Sequence, residues 1–296
     1  MRFVTFRGDD GAPVAGAIRG DQVIDLSHRS CTALLDGCAP SLLAMVERGL
    51  DGFVQRIRAA EIDAAALRPL AGLQLLAPLQ PGKILGAAFN FTDALAERGM
   101  AHPAEPVTFF RSGKTVVGPG EPIRLPPDAG NVGYEGELAV VIGRRALRIE
   151  PGQVMGIIAG YTAHNDVSGS ALIKADGGNF VRGKNLPASS PLGPWLVSAD
   201  EIADPHRLGI RLDIDGRKLQ DGSTATMLFR IPELISWLSY RYPLEPGDVI
   251  ATGTPAGVAA MHEPPAWLRP GTTISVEVEG IGRLVNPIEA GVPFVE

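Results

Sequence analysis

The stretch NVGYEGELAVVIG, residues 131–143, decides how the centre of the chain folds. It places two acidic residues, Glu135 and Glu137, at the head of the apolar run 138–142, which ends at Gly143. A run so rich in β-branched and aliphatic side chains is typical of a buried strand. Side chains at i and i+2 share one face of a strand, so the two carboxylates are predicted to stand side by side. Like charges placed so repel each other unless a positive group lies between them.

Composition limits the class of protein. The chain has 296 residues, of which 45% are hydrophobic, and a net charge of -6. This is enough to bury a large core, and the lack of a basic stripe argues against nucleic acid or an anionic membrane as partner. No apolar run approaches the roughly 20 residues of a membrane span, and the start lacks the apolar core of a signal peptide. We expect a cytoplasmic protein with Cys31 and Cys38 free and reduced.

Strand-like runs separated by Gly and Pro turns dominate the chain beyond residue 75. They lie at 83–88, 107–110, 136–142, 155–163, 192–198, 208–214, 248–251, 273–279 and 282–286. Helical spacing is found at 41–60, about 91–99 and 231–240. The pattern predicts a mostly β (α+β) protein, with a small N-terminal α+β domain over residues 1–75 and a larger domain over residues 76–296.

A third acidic residue, Asp166, ends the apolar strand GIIAGYTAHNDVSG, residues 156–169. A buried carboxylate in that position needs a partner. Three carboxylates without a nearby cysteine suit Mg²⁺ or Mn²⁺, with Ca²⁺ as a further candidate. The pattern alone also fits a simpler interpretation, in which Glu135 and Glu137 lie on a solvated sheet face and Asp166 caps a turn.

Four stretches decide between these interpretations. YEGELAVVIG, GYTAHNDVS, RGKN…SPLGP and GDVIATGTPAGV occur in this order. Together they resemble the fumarylacetoacetate hydrolase family, which also contains acylpyruvate hydrolases, oxaloacetate decarboxylases and 2-hydroxy-dienedioate isomerases. The resemblance covers residues from about 80 to 288. It implies a mixed β-sandwich roll with few helices, a small leading domain as in many members, and a homodimer.

The resemblance also implies a site. Glu135, Glu137 and Asp166 match the family residues that hold a divalent cation, whose open positions take the carboxylate and keto oxygens of a small dicarbonyl or α-keto acid. Such a cation acts as a Lewis acid on the keto group. Lys184 of RGKN matches a lysine that pairs with the substrate or a developing enolate. Gly253 and Thr254 of TGTP match the contact to the substrate carboxylate. On the residues alone, a surface lysine at 184 and an ordinary turn at 253–255 are the less favoured alternatives.

The chain departs from the family pattern at a lid segment. Hydrolytic members carry N-Y-x-D-H-A-x-E, whereas residues 90–97 here read NFTDALAE. Glu97 is retained as a candidate catalytic residue, but Ala94 replaces the histidine, and a methyl group cannot move a proton. Arg111 stands where a lysine is usual near the substrate, which keeps the charge and changes the hydrogen-bond geometry.

Another base is therefore needed. His164 shares strand parity with Asp166, so we expect it to face the metal cavity, where an imidazole suits proton transfer near neutral pH. The alternative is a core histidine bonded to a carbonyl group. His102 after the lid and His262 on a later loop are further candidates for this role.

Three functions remain open at this point. The leading hypothesis is metal-dependent hydrolysis of a C–C bond in an acylpyruvate such as fumarylpyruvate. Decarboxylation or keto–enol isomerisation of a keto acid is the first alternative, because these reactions depend less on an activated water. A non-catalytic metal-binding relative is the second.

Overall fold

The fold is dominated by strands, and the mostly β (α+β) prediction is confirmed. A computed structural model describes residues 1–294. The strands are β1 (Arg2–Arg7), β2 (Pro13–Arg19), β3 (Gln22–Asp25), β4 (Leu67–Pro69), β5 (Leu75–Leu76), β6 (Lys83–Ala88), β7 (Val107–Ser112), β8 (Val116–Val117), β9 (Ile123–Leu125), β10 (Val132–Gly133), β11 (Gly136–Ile142), β12 (Ile158–Asn165), β13 (Ser168–Gly169), β14 (Ser190–Ser198), β15 (Gly209–Ile214), β16 (Arg217–Ser223), β17 (Val249–Ala251), β18 (Thr273–Val278) and β19 (Gly282–Ala290).

The helices within the described part of the chain are short. They are α1 (Thr32–Leu35), α2 (Leu42–Glu47), α3 (Leu50–Ala59), α4 (Thr92–Glu97), α5 (Ser170–Ala175), α6 (Phe180–Gly183) and α7 (Ile231–Ser239). The helix predicted over 41–60 is interrupted at Gly49, whose φ of 97° lies in the region that favours glycine, and it forms α2 and α3 instead. None of the helices in residues 1–294 is long and apolar enough to cross a membrane.

Two main sheets build the molecule. The larger has twelve strands, with the path β4-β3-β2-β1-β14-β12-β11-β17-β6-β7, and with β5 paired to β1 and β8 to β14. The smaller has five strands in the order β16-β15-β18-β19-β9. Strands β10 and β13 form a separate two-stranded sheet. Side chains of β11, β12, β15 and β18 share one buried cluster, so the smaller sheet packs on one face of the larger sheet.

Strand β11 lies at the centre of this packing and explains the apolar run that follows the glutamates. Leu138, Val140 and Ile142 enter the core between the two sheets. Ala139 and Val141 point to the opposite face, where residues of α2 and α3 cover the large sheet. Because both faces of the strand are covered, every position of β11 is buried. The strand therefore lacks the alternation of apolar and polar residues that is typical of a strand with one face in solvent.

The first 75 residues continue the large sheet. Strand β1 pairs with β14 in antiparallel register, with Arg2 opposite Val197 and Phe3 opposite Leu196. Strands β2, β3 and β4 then extend the sheet outward. The division of the chain at residue 75 stays a prediction.

Candidate metal centre and active site

The acidic residues meet where β11 begins and β12 ends. The two strands pair antiparallel, with Glu137 opposite His164. Just outside this ladder, the Asp166 N–H donates to the Glu135 carbonyl at 2.8 Å. The Asn165 side chain accepts from the Glu135 N–H at 3.2 Å. The backbone thus fixes the two ends against each other. One carboxylate oxygen from each of Glu135, Glu137 and Asp166 lies within 4.8 Å of the others.

Burial sets the charge state of this acidic cluster. Asp166 is 0% and Glu137 1% exposed, whereas the Glu135 side chain is 24% exposed. Burial, followed by the charge of Glu135, raises the pKa of Glu137 to about 8. A hydrogen bond from the backbone of Gly253 acts in the opposite direction on the same pKa. In the metal-free protein, Glu137 therefore keeps its proton at neutral pH.

Lys184 is the positive group that the paired carboxylates require. Its Nζ lies 2.7 Å from Glu135 Oε2 and 2.7 Å from Asp166 Oδ2. The residue is only 3% exposed, so it is not a surface lysine, and its burial lowers its pKa. The ammonium also lies 4.7 Å from the ring centroid of Phe109, in the geometry of a cation–π contact.

Arg111 lies behind the acidic cluster. It is 0% exposed and pairs with Asp166 Oδ1, while its Nη2 donates to the carbonyl and the hydroxyl oxygen of Ser189, both at 2.7 Å. Burial lowers the pKa of Arg111 to about 9, so the guanidinium remains charged at neutral pH. Its described contacts hold a candidate metal ligand, so direct contact between Arg111 and a substrate stays a prediction.

His164 is enclosed by its hydrogen bonds. Nε2 lies 2.8 Å from the Ser190 hydroxyl and Nδ1 lies 3.4 Å from Glu137 Oε2. The ring is 0% exposed, and burial followed by the charges of Arg111 and Lys184 lowers its pKa well below 6.5. A neutral imidazole in this position orients Glu137. This arrangement agrees better with a buried core histidine, the alternative given above, than with a histidine that is free to act as a base.

The structure does not bring the lid residues into the acidic cluster. Ala94 is 1% exposed and packs in the core, and Glu97 is exposed at the end of α4. Glu97 accepts a hydrogen bond from the Gly257 N–H at 3.0 Å. His102 is exposed, and Nε2 of His262 lies 2.9 Å from the Gly257 carbonyl. A catalytic role for Glu97 stays a prediction.

Thr254 approaches the strand of the glutamates, but its hydroxyl is already engaged. Oγ1 donates to the Gly136 carbonyl at 2.8 Å and accepts from Gln220 Nε2 at 2.9 Å. A hydroxyl has a single proton to donate, so in this arrangement it cannot also donate to a substrate carboxylate. Sequence reasoning missed Gln220, and also Ser189 and Ser190. Ser190 is the first residue of the SPLGP motif and Ser189 directly precedes it, which offered a signal, whereas Gln220 lies in a polar strand that offered none.

The donor set fits a hard divalent cation. Glu135, Glu137 and Asp166 supply only carboxylate oxygens, which suit Mg²⁺, Mn²⁺ or Ca²⁺ and not a thiolate-seeking metal. The Lys184 ammonium already forms ion pairs with two of these residues, Glu135 and Asp166. These three residues are the ones that would hold the ion.

Comparison with known proteins identifies the lineage. Residues 83–289 match the family model described as fumarylacetoacetate (FAA) hydrolase C-terminal. The chain belongs to the fumarylacetoacetate hydrolase family. It is 38% identical over 296 residues to the mitochondrial oxaloacetate tautomerase of Xenopus laevis, covering 97% of this chain and 90% of that protein. The family resemblance predicted from the four motifs is confirmed.

Solved structures agree with this membership. A putative HpcE protein from Mycobacterium smegmatis superposes with a TM-score of 0.86 at 30% identity, covering 98% of this chain and 100% of that one. Maleylpyruvate hydrolase from Sphingobium sp. SYK-6, in complex with manganese(II) and pyruvate, has a TM-score of 0.79 at 27% identity over 98% and 100% of the two chains. Family members thus include tautomerases and hydrolases that act on small molecules, and a divalent metal fits this fold and this acidic cluster.

Proposed function

We propose that this protein is a divalent-metal-dependent tautomerase of small α-keto diacids, with oxaloacetate as the representative substrate. One observation carries the proposal. The acidic cluster and Lys184 are complete, while the lid position that would activate water is the buried Ala94. Keto–enol exchange needs a proton moved between carbon and oxygen and needs no attacking water, so the missing histidine affects it least.

Charge complementarity supports an anionic substrate. In the metal-free protein Glu137 is protonated, so Glu135 and Asp166 supply two negative charges against the two positive charges of Lys184 and Arg111. A divalent ion that displaces the Glu137 proton would change the sum from 0 to +1 and would supply Lewis-acid polarisation of a keto oxygen. A net positive, largely buried site attracts the carboxylate of a keto acid.

The protein's own groups have distinct roles in this proposal. Lys184 Nζ touches two of the carboxylates at 2.7 Å, so a substrate bound there lies beside an amine that can hold or move a proton. Arg111 fixes Asp166 from behind, and His164 fixes Glu137. Because both histidine nitrogens are engaged within the core, His164 serves orientation and not proton transfer from a free water.

The identity of the ion and the assembly are part of the proposal. We propose Mg²⁺ or Mn²⁺, since both prefer oxygen ligands and the related maleylpyruvate hydrolase structure contains manganese(II) with pyruvate. We retain the homodimer as a prediction, which light scattering on the purified protein tests directly.

The test is a tautomerisation assay on the Mn²⁺-loaded protein. The decay of the ultraviolet absorbance of enol-oxaloacetate is followed with and without EDTA, and CO₂ release is measured in parallel. We expect a metal-dependent acceleration of enol loss without stoichiometric CO₂. Release of CO₂ in step with the absorbance would indicate a decarboxylase, and a protein that does not change either signal refutes the proposal.

Hydrolysis of acylpyruvates is the second candidate. The observation that favours it is the likeness to maleylpyruvate hydrolase across nearly the whole chain. Incubation with fumarylpyruvate distinguishes the two, because hydrolysis yields pyruvate and a second acid that chromatography separates. We expect little of either product from the wild-type protein.

A further inference from the structure

A buried glutamine connects the two halves of the candidate site. Gln220, on β16, is 1% exposed although its strand lies far from the acidic residues in sequence. Its Oε1 accepts from the Gly136 N–H at 2.9 Å. Its Nε2 donates to Thr254 Oγ1 and to the Pro255 carbonyl, both at 2.9 Å, and approaches the Ala256 carbonyl at 3.3 Å.

These bonds close a ring. Gly136 is the residue between Glu135 and Glu137, and its N–H binds Gln220 while its carbonyl accepts from Thr254 at 2.8 Å. Gln220 in turn donates to Thr254, so three residues satisfy one another without solvent. Movement of the Thr254 loop and movement of the glutamate strand are therefore coupled through one side chain.

Close packing shows that this contact is built into the fold. A Cβ on Gly222 would lie 2.4 Å from the Pro255 Cβ, so β16 approaches the loop more closely than a side chain allows. A Cβ on Gly257 would lie 2.3 Å from the Leu219 carbonyl, and its φ is +97°. Glycines on both sides of the contact bring the loop within reach of the Gln220 amide.

We propose that Gln220 is a positioning residue that sets the Thr254 loop against the metal-binding strand, so that keto-acid binding depends on it. The inference rests on the proposed function in one respect, since it assumes that the loop at Thr254 meets the acid group of the ligand. It assigns Gln220 no contact with the reacting atoms.

The test uses Gln220→Met, which keeps the length of the side chain and removes its hydrogen bonds. Binding of Mn²⁺ is measured first, and binding of oxalate to the Mn²⁺-loaded protein second, both by calorimetry. One neutral hydrogen bond is worth about five-fold in an equilibrium constant. Because two short bonds reach the loop and one reaches the strand, we expect oxalate binding to weaken by about 25-fold and Mn²⁺ binding by about five-fold.

Asn286→Leu is the matched control. Asn286 is also 1% exposed, and its amide donates to the Gly118 and Glu121 carbonyls at 2.8 Å each, with no bond to the site. This variant loses a comparable buried amide, so we expect a similar loss of thermal stability with oxalate and Mn²⁺ affinities close to wild type. A general loosening of the fold would affect both variants alike.

A double-mutant cycle adds a readout that a merely structural role does not produce. In a Thr254→Val background the ring is already open and only the bond from Gln220 to the Pro255 carbonyl still reaches the loop, so we expect Gln220→Met to weaken oxalate binding there by about five-fold instead of about 25-fold. Additive effects would refute the ring as the route of coupling.

The outcomes separate the two claims. Oxalate binding that is the same in Gln220→Met and Asn286→Leu overturns the positioning role, whatever the enzyme's activity. A wild-type protein that binds Mn²⁺ and oxalate but does not act on oxaloacetate refutes the proposed function and leaves the positioning role standing if the variants differ. If the loaded wild-type protein does not bind oxalate, both are refuted.

Discussion

Two substitutions that delete the same chemical group should have very unequal effects on the stability of the metal-free protein. Asp166→Asn and Glu137→Gln each replace a buried carboxylate by an amide of nearly the same shape. Asp166 lies between two buried cations, Arg111 and Lys184, and is the counterion that both contact. Glu137 makes no such pair; burial raises its pKa to about 8 and it is mostly neutral at pH 7. The amide therefore mimics the native state of Glu137 but not that of Asp166.

The magnitudes follow from this difference. Removing one partner of a buried ion pair costs about 3–5 kcal/mol, because the remaining charge stays buried without compensation. We expect that loss for Asp166→Asn, which corresponds to a melting temperature lower by about 6–10 °C for a chain of this size. For Glu137→Gln we expect a change below about 1 kcal/mol at pH 7, since a neutral group replaces a neutral group.

The assay is thermal and urea unfolding in EDTA, with Asp248→Asn as a control. Asp248 is 3% exposed and pairs with Lys83, whose side chain is 21% exposed, so water can compensate that cation and the loss should be smaller than for Asp166→Asn. Asp166→Asn and Glu137→Gln should both lose Mn²⁺ binding, which would show that each substitution alters the metal site. Equal destabilisation by Asp166→Asn and Glu137→Gln would refute the charge assignment.

The pH dependence gives an independent check on Glu137. Its folded pKa of about 8 exceeds the ordinary value of 4.5, so between these values the folded protein holds a proton that the unfolded chain has lost. The free energy of unfolding of the metal-free protein should therefore fall as the pH rises through this window. Glu137→Gln should flatten the fall, and an unchanged slope would contradict the assignment.

Three further substitutions probe the rest of the site. Lys184→Met should bind Mn²⁺ at least as tightly as wild type, because the substitution removes a positive charge beside the ion. Its turnover of oxaloacetate should nevertheless fall by more than about 100-fold, and weaker Mn²⁺ binding in a titration would contradict this reasoning. Gly222→Ala should cost about 1–3 kcal/mol in urea unfolding and raise the KM, because its Cβ would meet Pro255 at 2.4 Å; an unchanged KM would show that the loop adapts. Ala94→His should not introduce fumarylpyruvate hydrolysis, measured as pyruvate release, and should cost about 1–3 kcal/mol, because position 94 is 1% exposed and packs in the core outside the acidic cluster; a gain of hydrolysis would show that α4 can move toward the cluster.

The acidic cluster could be predicted because a strand has a strict period of two. Glu137 lies in β11 and Glu135 directly before its first residue, and the register of β11 with β12 brings Asp166 to the same end. The β11 boundaries, Gly136–Ile142, also follow from the apolar run itself. The order of the four motifs then supplied the family, which the residue pattern alone left open.

The supports of the cluster could not be predicted from pattern. Gln220 is 84 residues from Gly136 in sequence, and nothing in a polar strand indicates that one of its side chains turns inward. Arg111 was expected at the substrate, but its contact with Asp166 spans 55 residues and depends on how β7 lies across the sheet. Such polar contacts are decided by tertiary packing, which local periodicity does not encode.

The pairing of β1 with β14 has a practical consequence for work on this enzyme. A fragment that began at residue 83, where the family match starts, would lack β1. Strand β14, which contains Leu196, would then have no partner strand on the side where β1 pairs with it. Its exposed backbone amides and carbonyls, together with the apolar surface that the first helices leave bare, would invite neighbouring chains to add to the sheet. We therefore expect amino-terminal truncation to give insoluble protein and not a minimal enzyme. An affinity tag should be placed where it does not disturb the pairing of Arg2 and Phe3 with β14.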